Sequence, residues 1–214
     1  MKKTILVVGA GKGLGNGVAK TFASHDFNVI LLARNKKHLQ EYASEFNKKG
    51  MKVMTQVADV ADIESFSKVL QTLIKENGVP DVLFYNVGNT SNVSLDNIDA
   101  NLLLERYKVD VAGAYQCIKL LDTKEFSEKK GAILITGGGL ALQPCGKYLP
   151  LSIDKAALRA MVQAMAPILN KKGIYIGTIQ ITGTIGSNEY FSPNKIAEKY
   201  YELYTQRKTT EIIY

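Results

Sequence analysis

The sequence predicts an α/β fold, a doubly wound parallel sheet of six or seven strands flanked by helices. Two observations carry that prediction. Short apolar runs alternate with amphipathic segments from one end of the chain to the other, the pattern of strand–helix–strand crossovers. The first run ends in a cluster of glycines and passes directly into a helical segment.

The elements follow in order. Thr4–Val8 is apolar and β-branched, a buried strand, and Gly13–Ser24 reads as a helix. Asn28–Ala33 is a second strand, Lys36–Lys48 a second helix and Lys52–Val57 a third strand. Ile63–Glu76 places apolar residues at 63, 66, 69, 70, 73 and 74, the helical period. Asp81–Tyr85 is a fourth strand, followed by one long helix from Asp99 to Phe126. Ala132–Ile135 is a fifth strand, and after a glycine-rich loop Leu151–Asn170 is a second long helix. Ile174–Ile179 is a sixth strand, Pro193 announces a last helix over Lys195–Arg207, and Glu211–Tyr214 reads as a short edge strand. No composition break or repeat interrupts the 214 residues, so the expectation is a single domain over 1–214.

Composition narrows the class. Hydrophobic residues at 46% and charged residues at 22% are the balance of a globular protein. The net charge is +7, but the basic residues are spread along the chain. They pair only at Lys2-Lys3, Lys36-Lys37, Lys129-Lys130 and Lys171-Lys172, which read as solvated surface. No nucleic-acid module accompanies them, so no nucleic-acid partner is expected. Two distant cysteines, Cys117 and Cys145, indicate a reducing compartment. No run approaches the ~18 apolar residues of a membrane span. The expected location is the cytoplasm, with no membrane partner.

The turn after the first strand is Gly9-Ala10-Gly11-Lys12-Gly13-Leu14-Gly15, with glycines spaced Gly-x-x-x-Gly-x-Gly at Gly9, Gly13 and Gly15. Glycine there permits a tight turn and close approach of backbone to a diphosphate. The following helix presents free N–H groups and a partial positive charge. This is a Rossmann-type arrangement.

With that turn, the sequence resembles the short-chain dehydrogenase/reductase family along nearly its whole length. Asp59-Val60, after the third strand, matches the family's acidic residue that contacts adenine. Tyr85-Asn86-Val87-Gly88 resembles its Asn-Asn-Ala-Gly motif, with Asn86 and Gly88 kept. Lys155, followed by Ala156-Ala157-Leu158, matches the lysine of its active-site helix, and Gly183 the glycine after its sixth strand, with Thr182 in place of proline. The resemblance implies nicotinamide-nucleotide binding at Gly9, Gly11, Lys12, Gly13, Leu14, Gly15, Arg34, Asn35, Asp59, Val60, Asn86, Gly88, Lys155 and Gly183.

The choice of nucleotide falls to the end of the second strand. An NAD site places a carboxylate there, to accept from the ribose hydroxyls. This chain has Arg34-Asn35 and no carboxylate until Glu41. A guanidinium matches a 2′-phosphate in charge and geometry, and Lys12 adds a second cation. The expected cofactor is NADP(H).

The family's catalytic pattern is where the resemblance fails. It implies a general acid/base tyrosine four residues before the lysine, a serine that orients the substrate carbonyl, and an asparagine on the preceding long helix. By spacing these fall on Leu151, Gly138 and Asp110. Loss of a general acid/base costs roughly 10²–10⁴-fold. Lys155 survives, Tyr148 and Asp110 are the stand-in candidates, and Asp110 is expected to pair with Lys155. Other nearby polar groups are Thr136, Cys145 and Ser152. The two histidines, His25 and His38, offer no metal-ligand set.

Two readings stay open on the sequence. One is an NADP(H)-dependent oxidoreductase acting on a carbonyl or alcohol through a rearranged site. The other is a catalytically inactive NADP(H)-binding sensor or partner protein that has lost its acid/base. The partner is accordingly a small-molecule substrate or none. The two long helices resemble the family's subunit-contact surfaces, which implies a homodimer or homotetramer.

Overall fold

The computed structural model describes residues 2–214. Seven strands form one sheet in the order β3-β2-β1-β4-β5-β6-β7, every neighbouring pair parallel. They are β1 (Thr4–Val8), β2 (Asn28–Ala33), β3 (Val53–Val57), β4 (Val82–Tyr85), β5 (Ala132–Thr136), β6 (Tyr175–Gln180) and β7 (Glu211–Ile213). Helices cover both faces, so the central strands β4, β5 and β6 are buried throughout, and β4 and β5 are almost wholly apolar. The edge strand β3 is largely exposed.

Successive side chains of a strand point to opposite faces, and β1 divides its residues accordingly. Leu6 and Val8 join one core with α3 (Ile63–Asn77), α5 (Gly113–Leu121) and α7 (Leu149–Lys171). Ile5 and Val7 join the other with α1 (Leu14–Ser24), α2 (Lys36–Asn47) and α8 (Pro193–Gln206).

The helices depart from the sequence expectation in three places. The single helix expected over 99–126 is α4 (Ala100–Tyr107), a π-helical turn over Lys108–Ala112, and α5; a break at Asp122-Thr123 then leads to α6 (Lys124–Glu128). The break is capped by Thr123, whose hydroxyl accepts the Phe126 N–H at 3.2 Å. The helix α7 begins at Leu149, before Pro150, because proline is tolerated in a first turn where no N–H is needed. The helix α8 begins at Pro193 for the same reason, with Ser192 as its N-cap.

Strand order reverses between β1, which leads outward to β2 and β3, and β4, which leads to β5, β6 and β7. The crevice at such a reversal, beyond the carboxyl ends of the strands, is where doubly wound sheets bind ligands.

Candidate active site in the crevice beyond the sheet

A cleft of about 1070 Å³ opens at that reversal. Its walls come from the glycine turn after β1, the segments after β4, β5 and β6, the start of α7, and Ile213 of β7. Nearly every wall is thus a strand end or the loop that follows it.

The glycines of the first turn divide by role. Gly9 has φ +89°, and a Cβ there would lie 2.7 Å from the Asn86 carbonyl group. A Cβ on Gly15 would lie 2.6 Å from the Gly9 oxygen. These two allow β1, β4 and α1 to approach. Gly11 and Gly13 have nothing within 4 Å of such a Cβ, and both line the cleft. The N-cap of α1 is Gly13, which supplies no side-chain cap. An uncapped helix start behind open glycines fits a diphosphate, which accepts from backbone N–H groups. Leu14 is buried and lines the same end.

Asn86 ties the turn to the centre of the sheet. Its amide donates to the Gly9 carbonyl at 3.1 Å, and its carbonyl accepts from the Thr136 hydroxyl at 2.8 Å. Gly88 lies at the cleft floor, where a Cβ would meet Asp110 Oδ2 at 3.5 Å and Lys155 Nζ at 3.8 Å. Gly183 lines the cleft and packs on Phe191, which leaves no room for a side chain.

The nucleotide-selecting candidates lie outside the enclosed cleft. Arg34 is exposed, directly after β2, and Lys12 is exposed in the glycine turn. The Gly9 and Ala10 N–H groups both bond the Leu32 carbonyl, which draws the glycine turn against the end of β2. Asn35 is the N-cap of α2 and accepts the His38 N–H at 3.0 Å. Asp59 is exposed after β3 and accepts the Ala61 N–H at 3.0 Å, while Val60 is buried.

Lys155 lies one helical turn after Leu151 on α7, so both face the cleft. It is 7% exposed, and its ammonium donates to the Thr136 carbonyl at 2.7 Å. The ion pair expected between Lys155 and Asp110 does not form. The Asp110 carboxylate, fully buried in the π-helical turn, instead accepts the Asn89 N–H at 3.3 Å. Each group is bonded to a backbone partner instead.

Sequence reasoning missed Asp154. It is 2% exposed, and its Oδ2, like Oδ1 of Asp110, has no hydrogen-bond partner. Burial, with the Asp110 charge adding to it and Lys155 opposing, pushes its carboxyl up to about 7. Burial likewise raises Asp110, against Lys155, and lowers Lys155, against both carboxylates. An acid directly before the lysine, in the apolar first turns of α7, was the available signal.

Tyr148 is the N-cap of α7 and lines the cleft beside Leu151. Pro150 does not separate it from the helix, because α7 has already begun at Leu149. A Cβ on Gly138 would lie 3.4 to 3.7 Å from the Lys155 side-chain carbons, so this position also faces the lysine. Thr136 lines the cleft. Ser152 faces away, donating to the Tyr148 carbonyl at 3.0 Å and accepting the Cys145 N–H at 3.1 Å. Cys145 is exposed. Among the described residues no group of histidine, cysteine and carboxylate side chains could hold a metal.

The fold and this cleft define a dinucleotide-binding α/β protein. A family model described as short chain dehydrogenase matches residues 3–189, and the chain belongs to that family. It is 27% identical over 180 residues to the diacetyl reductase [(S)-acetoin forming] of Staphylococcus epidermidis, covering 82% of this chain and 69% of the relative. It is 24% identical over 208 residues to the NADPH-dependent pterin aldehyde reductase of Arabidopsis thaliana, covering 92% and 85%. Its backbone matches that of L-sorbose reductase from Gluconobacter frateurii, solved with NADPH and L-sorbose, with a TM-score of 0.88 at 22% identity over 100% of this chain and 94% of the other.

Proposed function

We propose that the chain is an NADP(H)-dependent oxidoreductase that interconverts a carbonyl and an alcohol through an atypical acid/base arrangement. The observation that carries this reading is a buried Lys155 facing a cleft whose opposite end is a glycine turn open at Gly11 and Gly13. The nicotinamide nucleotide, when bound, supplies or accepts the hydride. Gly11, Gly13 and Leu14 hold its diphosphate. Arg34 and Lys12 hold the 2′-phosphate, Asp59 and Val60 the adenine end, and Asn86, Gly88, Lys155 and Gly183 the nicotinamide half. The NADPH named with the two reductases supports the same choice of nucleotide.

At Leu151 and Gly138 the cleft has no hydroxyl, so proton delivery to the substrate oxygen falls to another group. Tyr148 is the tyrosine lining the cleft, and Lys155 lines the same cleft with its ammonium held on the Thr136 carbonyl and Asp110 nearby across Gly88. NADPH binding is read from its own fluorescence, and turnover from NADPH consumption over a panel of ketones and aldehydes. Tyr148→Phe is expected to lower turnover by roughly 10²–10⁴-fold with NADPH affinity intact.

The absence of both hydroxyls favours a second reading, a binding protein that performs no chemistry. In that case the wild type is inert, and Leu151→Tyr combined with Gly138→Ser creates activity. Substantial wild-type turnover that Tyr148→Phe abolishes rejects this reading.

We further infer a single cytoplasmic domain that forms a homodimer or homotetramer. Among the described residues no helix is long and apolar enough to cross a membrane. The exposed Leu104, Tyr107 and Tyr115 of the α4–α5 segment, with Ile153 and Ile168 of α7, supply an apolar contact surface. Light scattering of the wild type against Leu104→Glu checks it: an oligomer that the variant dissociates is expected, and a monomeric wild type rejects it.

A further inference from the structure

The substrate end of the cleft is built from aliphatic side chains that arrive on four separate segments. Leu140 and Leu142 follow β5, Leu151 lies in the first turn of α7, Ile181 and Ile185 follow β6, and Ile213 belongs to β7. Among the described residues that line the whole cleft, Lys155 is the one charged side chain. It is not free to serve as a counter-ion. Its ammonium is buried, donates to the Thr136 carbonyl at 2.7 Å and lies against Gly88, where the nicotinamide half of the proposed nucleotide would cover it. A charged ligand entering this end would lose its water and gain no partner of opposite sign, which is costly in an apolar surround. The polar groups that remain on the walls are neutral, chiefly Gln143, Tyr148 and Thr184. They can bond a carbonyl or hydroxyl oxygen but cannot balance a carboxylate or phosphate.

We infer that the substrate is an uncharged, predominantly apolar carbonyl compound or the corresponding alcohol, and that carboxylated, phosphorylated or cationic analogues are discriminated against. The inference deepens the oxidoreductase reading of this cleft and rests on it. Specificity arises in the wall rather than at the reacting oxygen. The two aliphatic residues at the rim, Ile185 and Ile213, are 38% and 63% exposed, so a charge can be placed there without being buried in the core.

The test uses the full chain saturated with NADPH, and the change in nicotinamide fluorescence as a second ligand is added. Matched probes differ only in charge: acetophenone against 4-acetylbenzoate, and cyclohexanone against 4-oxocyclohexanecarboxylate and protonated 4-piperidone. The neutral member of each set is expected to bind at least tenfold more tightly than its charged counterparts. Ile185→Arg is expected to shrink the disadvantage of the two carboxylates at least threefold, with the NADPH dissociation constant measured for each protein in the same titration. Equal or tighter binding of a carboxylate by the wild type overturns the inference, as does a neutral ketone series that leaves bound NADPH unperturbed. An Ile185→Arg ratio identical to wild type overturns the assignment of specificity to this wall. Failure of NADPH itself to saturate the protein rejects the nucleotide reading, and this inference falls with it; saturation with no response to any ketone rejects the oxidoreductase reading and the inference together; saturation with a carboxylate bound as tightly as its neutral counterpart, or tighter, rejects the inference alone.

Discussion

Asp154 is a buried carboxyl group beside Lys155 on α7, and its Oδ2 has no hydrogen-bond partner. Its pKa stands at about 7 in the folded chain against an ordinary value of 3.8, with burial as the main cause. Between those values the native state keeps a proton that the unfolded chain has released. The stability tied to this group is therefore intact below about pH 3.8, declines as pH rises towards 7, and falls no further above it. Urea unfolding of the wild type and Asp154→Asn should give similar free energies near pH 4. By pH 8 the variant should be favoured by roughly 2–4 kcal/mol. A difference that stays flat with pH rejects the assignment. The same scale governs nucleotide choice. Arg34→Glu is expected to weaken NADPH binding by roughly 10- to 100-fold, the worth of a charge-assisted bond, while sparing NADH. Lys155, Asn86 and the glycines were legible in the sequence because their spacing is rigid. The role of Asp154 was not, because nothing in a linear chain shows that Asp110 is folded against it from 44 positions away.

The π-helical turn between α4 and α5 is the element that the hydrophobic pattern could not reveal. Apolar residues recur through Ala100–Leu121 at near-helical spacing, and one extra residue in a turn barely disturbs that rhythm. The turn brings the Val109 carbonyl to the Tyr85 hydroxyl, which donates to it from the end of β4. It also places Gly113 where a Cβ would collide with Val60 at 2.2 Å and the Tyr85 oxygen at 2.5 Å. Gly113→Ala should destabilise the protein by roughly 1–3 kcal/mol through overpacking, and Val60→Ala in the same chain should restore part of the loss. Thermal unfolding of the two variants checks this; a Gly113→Ala chain as stable as wild type refutes it. A second connection links elements distant in sequence. Gln180 at the end of β6 accepts the Gly138 N–H at 3.0 Å and donates to Glu211 of β7 at 3.0 Å. Glu211 is held in turn by two bonds from Arg159 of α7, at 2.7 and 2.9 Å. The loop after β5 is thereby fixed against α7, a constraint carried by polar side chains that no periodicity marks.

At the scale of the whole molecule, parallel topology sorts the chain by end. Every strand runs the same way, so all segments preceding strands meet at one edge and all segments following them at the other. That is why the fold class was legible from alternation alone. The same topology also brings together two of the four basic pairs, which are far apart in sequence. Lys2-Lys3 before β1 and Lys129-Lys130 before β5 join Arg207 around a single cavity at the edge opposite the cleft. Sequence separation conceals such a gathering, since a crossover of any length returns the chain to the same edge. Ligand at the cleft should register in global stability. At a concentration a hundredfold above its dissociation constant, NADPH is expected to add about 2.7 kcal/mol, or roughly 5–10 °C in Tm for a chain of this size. NADH at the same concentration should add clearly less; an equal shift from both would remove Arg34 and Lys12 from the choice of nucleotide.

The two kinds of glycine in the first turn lead to two kinds of genetic lesion. A side chain at Gly9 or Gly15 meets backbone and cannot be accommodated without moving a strand or a helix, so its carriers should lose the protein itself and show low abundance. A methyl group at Gly11 or Gly13 meets nothing, so its carriers should retain a normal amount of folded chain that no longer holds nucleotide. A single seven-residue turn would then yield both null and silent-but-present alleles, distinguishable by an antibody before any activity is measured.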